Sequence, residues 1–374
     1  MFDTIYKRTS AGKIQQWTIE VKGNKYRTIS GQTDGKKTTA AWTKCFGKNT
    51  GKANATTDNE QALKEAEAVF TKKLEKHYRR DIKKIDKDKF VKAMLAHKFE
   101  KYPDLDYSNT YSQPKLDGIR CLVTKDGMFS RGGKPIVSAP HIFEALKKLF
   151  NKDPGLVFDG ELYTDALKGD FNKIVSLAKR SKPTDADLAE SKEHLQYWIY
   201  DIASSQDVFS DRIAEIPGAL EAGVDFFKAR QINCLVLVPT DKVESKEHLD
   251  ELYQGYLADG MEGQMIRKGD SLYEGKRSKN LLKRKEFQDA EFTITSVNEG
   301  IGNWAGYAKS VSYTTKDGLA FDTGIKGTQE YCKELLAKAD EMVGKQATVR
   351  YQNMTPDGVP RFGVTYQIWD GTKI

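Results

Sequence analysis

The sequence predicts an α+β chain of several domains, and three observations carry that expectation. A hairpin-patterned opening is followed by one amphipathic helix. A long middle stretch mixes strands and helices. The end returns to short alternating strands interrupted by a single helix. A length of 374 residues accommodates two or three cores. A hydrophobic fraction of 39% suits ordinary globular interiors.

In the opening, Trp17, Ile19 and Val21 alternate with polar residues, as a half-buried strand requires. Gly23-Asn24 supplies a two-residue turn before KYRTIS, and Asp34-Gly35 marks another before TTAAWTKC. Thr57 and Glu60 form a capping-box pattern that opens a helix. Its apolar face is expected to carry Leu63, Ala66, Phe70, Leu74 and Tyr78. The run WTIEVKGNKYRTISG with NEQALKEAEAVFTKK resembles the small WGR-type nucleic-acid-binding module. A first domain is therefore expected over 1–87.

The net charge of +7 is unevenly placed. Between Lys72 and Lys101 twelve Lys or Arg face five Asp or Glu, an excess of seven. A solvated basic surface and a phosphate-tracking patch both fit such a run. Four cysteines at 45, 121, 234 and 332 lack CxxC spacing, which argues against a disulfide framework or a zinc ribbon. No apolar run approaches the roughly 20 residues a membrane span needs, and MFDTIYKRTSAGK has no apolar leader region. The expected compartment is cytoplasmic, with no membrane partner.

The middle domain, expected over 88–286, holds the chemically suggestive residues. YSQPKLDGIRC reads as strand, turn, strand around Lys115, Asp117, Gly118 and Arg120. With uniform residue usage, a lone KxDG arises by chance in about one chain in twenty of this length. Further matches follow in order: FSRGGKP with Arg131, LVFDGELY with Glu161, YWIYDIA with Tyr200, GMEGQMIRK with Glu262, and RSKNLLKRK with Lys283 and Lys285. Lys283 and Lys285 stand at i and i+2, so on a strand they share a face. After 287, EFTITSV, SVSYTT, LAFDTG and ATVRYQN, with a helix in TQEYCKELLAKAD, predict a Greek-key barrel of OB type over 287–374.

Together these motifs resemble the series of the ATP-dependent DNA ligases, within the covalent nucleotidyltransferases. The resemblance covers roughly residues 90–362 and includes MLAHKF and TPDGVPRFG. It implies a nick-sealing enzyme that uses ATP and Mg²⁺ on nicked double-stranded DNA, acting as a monomer that encircles or clamps the duplex. It implies that Lys115 takes AMP, with Lys283 and Lys285 at the nucleotide's α-phosphate and Asp117 used when the nick is present. Gly118 falls within the nucleotide-binding motif, Arg120 and Arg131 contact the ribose and the nick phosphate, and Tyr200 stacks on adenine. Glu161 serves the ribose and the metal, and Glu262 the metal. The chemistry suits the residues: a lysine amine forms a phosphoramidate once deprotonated, and burial with neighbouring positive charge lowers its pKa.

The family's C-terminal basic motif, which orients pyrophosphate, has no clear match in VPRFGVTYQIWDGTKI, where Arg361 and Lys373 are the candidates. An RNA ligase or a GTP-using capping enzyme would share the lysine motif. An NAD-dependent ligase would need a nicotinamide domain and a cysteine zinc site. A non-catalytic nick-binding protein would explain the basic run alone.

Overall fold

The computed structural model describes residues 2–9, 11–76, 78–86, 91–102, 104–221 and 234–369. The chain forms two compact units, Met1–Ala93 with Cys121–Ile136, and Met94–Arg120 with Val137–Ile374. The boundary expected at residue 87, Lys87 itself and Lys373 lie outside the described residues.

The first unit is built on a sheet of β1 (Ile5–Arg8), β2 (Ile14–Lys22), β3 (Lys25–Gln32) and β4 (Lys37–Thr39) in that order, with β5 (Thr43–Lys44) pairing β3. The two-residue turn closes β2 on β3 with Lys22 opposite Lys25. Helix α1 (Asp58–Lys76) covers one face. The capping box is present: Glu60 N–H donates to Thr57 Oγ1 at 3.3 Å, and Thr57 N–H donates to Glu60 Oε2 at 2.8 Å. The buried stripe runs Ala62, Ala66, Phe70, and the core adds Ile5, Trp17, Ile19 and Tyr78. Leu63, expected in that stripe, is 46% exposed. Ala66 and Phe70 keep their expected places, Ala62 is buried instead of Leu63, and Tyr78 lies beyond the helix's end.

In the second unit β6 (Leu95–Lys98) and β7 (Thr110–Lys115) begin the sheet that carries the lysine motif. The chain then turns into β8 (Ile119–Thr124), which pairs β9 (Gly127–Ser130). From Cys121 to Ile136 this hairpin belongs to the first unit, where Lys134 pairs with Glu75 at 2.8 Å. Strand, turn, strand is therefore present around Lys115, but β7 pairs elsewhere and does not form a hairpin with β8.

Helix α2 (Pro140–Lys152) precedes β10 (Phe158–Tyr163), and α3 (Phe171–Ala178) and α4 (Asp185–His194) follow it. β11 (Gln196–Ile202) pairs antiparallel with β10 and parallel with β12 (Leu235–Leu237), and α5 (Phe209–Glu221) lies between them in the chain. β13 (Asp241–Lys242), α6 (Lys246–Ala258), β14 (Gly263–Lys268) and β15 (Arg277–Lys285) complete the sheet β13-β7-β14-β15-β6.

The remaining strands, β16 (Gln288–Glu299), β17 (Ala308–Thr314), β18 (Ala320–Ile325), β19 (Gln346–Tyr351) and β20 (Val364–Ile368), close a barrel in the order β16-β17-β18-β20-β19. Helices α7 (Gln329–Ala337) and α8 (Ala339–Met342) connect β18 to β19, and α7 buries Cys332 and Leu335 in the barrel's core cluster. Five strands with a helix in this position make an OB barrel. Among the described residues no helix is long and apolar enough to cross a membrane.

Candidate active site

Three neighbouring strands align the central residues. Lys115 on β7 lies opposite Gly263 on β14, and Gly263 lies opposite Lys285 on β15. One step along, Gln113, Met265 and Lys283 form the parallel row. Side chains two apart on a strand share a face, so Lys115, Lys283 and Lys285 project on the same side. Glu262, just before β14, donates its backbone N–H to the Lys115 carbonyl at 2.9 Å. Its carboxylate accepts from both Lys115 and Lys285. All three side chains are largely buried, with 19%, 16% and 11% exposure for Lys115, Lys285 and Glu262.

Burial lowers the pKa of Lys115 from the usual lysine value, and the Arg361 and Arg120 charges push in the same direction. Burial, then the charge of Lys115, lowers Lys285 to about 7. Burial and neighbouring cations make a neutral lysine accessible here, against the opposing pull of the carboxylates of Glu161 and Asp117.

Two glycines make the approach possible. At Gly263 the backbone has φ +150, and a Cβ would stand 2.2 Å from the Arg284 carbonyl oxygen. At Gly118 a Cβ would stand 2.4 Å from the Leu162 carbonyl oxygen and 2.7 Å from Glu161 Cγ. The turn after Lys115 therefore lies directly against β10, which brings Glu161 to the lysine. Burial raises Glu161 to about 7, although Lys115 and Arg120 pull it down.

Arg120 is held on three sides. Its Nε donates to Asp159 Oδ1 at 2.9 Å, a second nitrogen pairs with Asp159 Oδ2, and Nη1 donates to the Met94 carbonyl at 2.5 Å. Tyr273 donates its hydroxyl to the same Asp159 at 2.7 Å and accepts from the Met94 N–H at 3.0 Å. Tyr200 has the Arg120 and Arg267 guanidinium groups 5.7 and 5.4 Å from its ring centroid. Its hydroxyl reaches Glu161 at 3.5 Å. Trp198 packs edge-on against Tyr163 at 5.4 Å and is buried, as are Tyr197, Ile199 and Ile202 of the same strand.

Below this layer Asp201 is fully buried between Arg212, at 2.7 and 3.1 Å, and Arg267, at 2.6 Å. Arg267 also donates to Gln113 at 2.7 Å. Asp117 is gripped by Arg361 of the barrel domain through two hydrogen bonds, one of 2.8 Å.

The second unit thus brings together Lys115, Asp117, Gly118, Arg120, Glu161, Tyr200, Glu262, Lys283 and Lys285. Arg131 lies at the turn after β9, in the first unit. Reading the sequence missed Arg267, Asp159 and Tyr273 as supporting residues. The first two sit inside quoted motifs, whereas nothing around Tyr273 distinguished it. No group of three or more metal-ligating side chains occurs among the described residues. The two carboxylates flanking Lys115 match what Mg²⁺ asks of a protein when phosphate oxygens and water supply the rest.

A family model described as ATP dependent DNA ligase domain matches residues 93–285. The chain is 22% identical to a DNA ligase of Haemophilus influenzae over 276 residues, covering 73% of this chain and 91% of that one. It is 24% identical to a DNA ligase of African swine fever virus over an alignment of 408 residues, covering 96% and 92%. Its fold is similar to that of a Lig E DNA ligase, with a TM-score of 0.61 at 23% identity over 75% of this chain and 99% of that one.

Two outcomes follow from this geometry. Lys285→Met removes a like charge beside Lys115, so the Lys115 pKa rises. The alkaline-going limb of nucleotide attachment, measured as a single-turnover rate against pH, should move to higher pH, and the plateau should fall by on the order of 10²–10³. An unmoved limb would show that Lys285 does not act on Lys115. Gly263→Ala places a Cβ against the β15 backbone at a left-handed φ, a strain of about 1–3 kcal/mol. It should lower the unfolding midpoint and spread β14 from β15, reducing attachment at least about tenfold, on the scale of a misplaced reacting group. Attachment at the wild-type rate would show that the row tolerates separation.

Proposed function

Because the chain belongs to the ATP-dependent DNA ligase family and so seals nicks in DNA at the expense of ATP, we propose that Lys115 is the residue that carries AMP. The observation behind this reading is the buried Lys115–Glu262–Lys285 cluster on in-register strands. In the first step the neutral Lys115 Nζ attacks the α-phosphorus of ATP. A P–N bond forms, the bond to the β-phosphate oxygen breaks, pyrophosphate leaves, and the amine loses its proton. In the second, the 5′-phosphate at the nick attacks the same phosphorus and Lys115 leaves. In the third, the 3′-hydroxyl attacks the 5′-phosphate, its proton is removed, and AMP departs with the bonding pair.

The supporting roles follow from position. Lys285 and Lys283 face the α-phosphate from β15 and offset its charge as the transition state forms. Glu161 accepts from the ribose and Tyr200 offers its ring to adenine. Arg120 presents whatever donors Asp159 and Met94 leave over. Asp117 acts once the nick is bound, after Arg361 has let it go. Arg131, on the separate hairpin, contacts the nick phosphate. Glu161 and Glu262 would hold Mg²⁺, which when bound would offset phosphate charge. Residues 1–87 are the nucleic-acid-binding module. The protein works on nicked duplex as a monomer that clamps it, in the cytoplasm.

The test is incubation with α-labelled ATP and magnesium followed by denaturing electrophoresis. Label should remain on the wild-type chain, be acid-labile, and disappear in Lys115→Ala. Label on Lys115→Ala would overturn the assignment, and labelling by GTP in place of ATP would turn the reading toward a capping enzyme.

A further inference from the structure

The basic run from Lys72 to Lys101 is the obvious place to look for nucleic-acid contacts, but the structure employs several of its charges internally. Lys73 lies over the rings of Trp17 and Tyr78 at 5.3 and 5.4 Å. Arg80 pairs with Asp3 and lies 5.4 Å from the Phe70 ring. Lys84 pairs with Asp81 at 3.9 Å. These cations lie over the rings of the module's core or pair with its carboxylates.

A different surface of the same unit breaks the rules of a stable sheet. Along β5 and its flanks, Cys45 is buried while Phe46 is 62% exposed. Alternation along an extended strand then puts Trp42, Lys44 and Phe46 on the outward side. Lys25 on β3 lies directly opposite Lys44, and Arg27 stands two residues further along the same face. Like charges directly opposite one another destabilise a sheet. A large exposed phenylalanine beside them adds nothing to the core.

The cations are also organised around the rings. Lys25 and Arg27 lie 5.3 and 4.5 Å from the Trp42 ring, and Lys44 lies 5.2 Å from the Phe46 ring. Glu20, which accepts from Arg27 at 2.7 Å, is the carboxylate paired with this group. Two aromatics with three cations interleaved offer a π-face for a base and a charge for the phosphate next to it.

We propose that this outward face of β3 and β5 binds single-stranded DNA, stacking bases on Trp42 and Phe46 and pairing phosphates with Lys25, Arg27 and Lys44. Bases inside a duplex have no free faces, so the aromatic half of the patch selects an unpaired segment, such as a displaced or gapped strand beside a nick. The choice of DNA as the nucleic acid rests on the ligase reading; the stacking geometry does not. The like-charged pair is tolerated because its cost is offset only when an anion lies across it. Local conflict of this kind belongs to functional surfaces.

The experiment uses the full chain, since the first unit includes the Cys121–Ile136 hairpin and a simple truncation would divide it. Binding of a fluorescein-labelled oligothymidylate is followed by anisotropy across a sodium chloride series. Phe46→Ala and Trp42→Ala should each weaken binding by about tenfold, within the roughly 5- to 150-fold that one stacked base is worth. Phe46→Leu should be as weak as Phe46→Ala, because bulk without a π-face does not stack. Replacing Lys25 and Lys44 together by alanine should reduce the log–log salt slope by about 1.4, at about 0.7 per single-strand phosphate. Lys44→Glu should abolish binding while raising the unfolding midpoint, because it converts a repulsive cross-strand pair into an attractive one.

Attachment of label from ATP, measured on the same proteins, should be unchanged in every variant. Loss of labelling in the wild type would sink the ligase site and leave the patch to be judged by anisotropy alone. Unaltered affinity and slope in the aromatic and lysine variants would overturn the proposal. So would variants that lose binding to phosphatidylserine-containing vesicles but keep the oligonucleotide, since the face would then be a membrane surface.

Discussion

Two ammonium groups sharing one buried carboxylate, across a strand that has no side chain between them, is the constraint on which the rest of the site depends. Adjacent strands stand about 4.8 Å apart, so Lys115 and Lys285 start roughly 10 Å apart at the backbone. They meet because Gly263 leaves the space between them empty and because Glu262, at the strand's entry, offers an oxygen to each. A one-residue slip of β14 or β15 would turn one member of the row to the opposite face. Register here is a chemical parameter: it sets the positive charge around the amine, and so how readily the amine is neutral.

That charge is held in place by ion networks beneath it. Asp201 joins Arg212 and Arg267, and Asp159 joins Arg120 with Tyr273 as a further donor. Buried pairs of this sort contribute little net stability against apolar packing, but losing one partner leaves an uncompensated charge and costs about 3–5 kcal/mol. Their effect is positional. Arg267 ties β14 to Asp201 on β11 and to Gln113 on β7, so the lysine strand and the Tyr200 strand cannot shift independently. Arg120 is tied to β10 by Asp159 and to the segment before β6 by the Met94 carbonyl.

What was legible in the sequence was short in range. The turn at Gly23-Asn24, the capping box at Thr57 and the shared face of Lys283 and Lys285 each depend on residues within a few positions, where periodicity and side-chain reach decide the outcome. Leu63 was misplaced because which residue at the edge of a helix face is buried is set by what the helix packs on: Ala62, four residues before Ala66, is buried in its stead. The β7–β8 segment reads locally as two strands, but β7 pairs with β13 and β14, far along the chain, and not with β8. Tyr273 and Asp159 are 114 residues apart, and nothing near either announces the contact. Composition located the basic run correctly, but it could not say that Lys73 would cover Trp17 or that Arg80 would reach Asp3.

The longest of these links, between Asp117 and Arg361, spans 244 residues and joins the lysine's own turn to the barrel domain. Its guanidinium also lies 4.0 Å from the Phe171 ring and 4.7 Å from Phe362. The pair is mostly buried, with 11% exposure for Arg361 and 21% for Asp117. Arg361 is a cation beside Lys115 and one of the charges that lower its pKa. Asp117 acts the other way on the same amine. While paired, the two act against each other, and Arg361 has both ends of its fork committed. Freeing it for an incoming phosphate would uncover Asp117, whose negative charge raises the lysine's pKa again unless that charge finds another partner. Barrel position and lysine protonation are therefore coupled through one ion pair. Phe362, next to Arg361, adopts φ 55, a left-handed backbone rare outside glycine. Strain of this kind persists only where the surroundings impose it, and here it falls on the residue after the arginine that holds the motif.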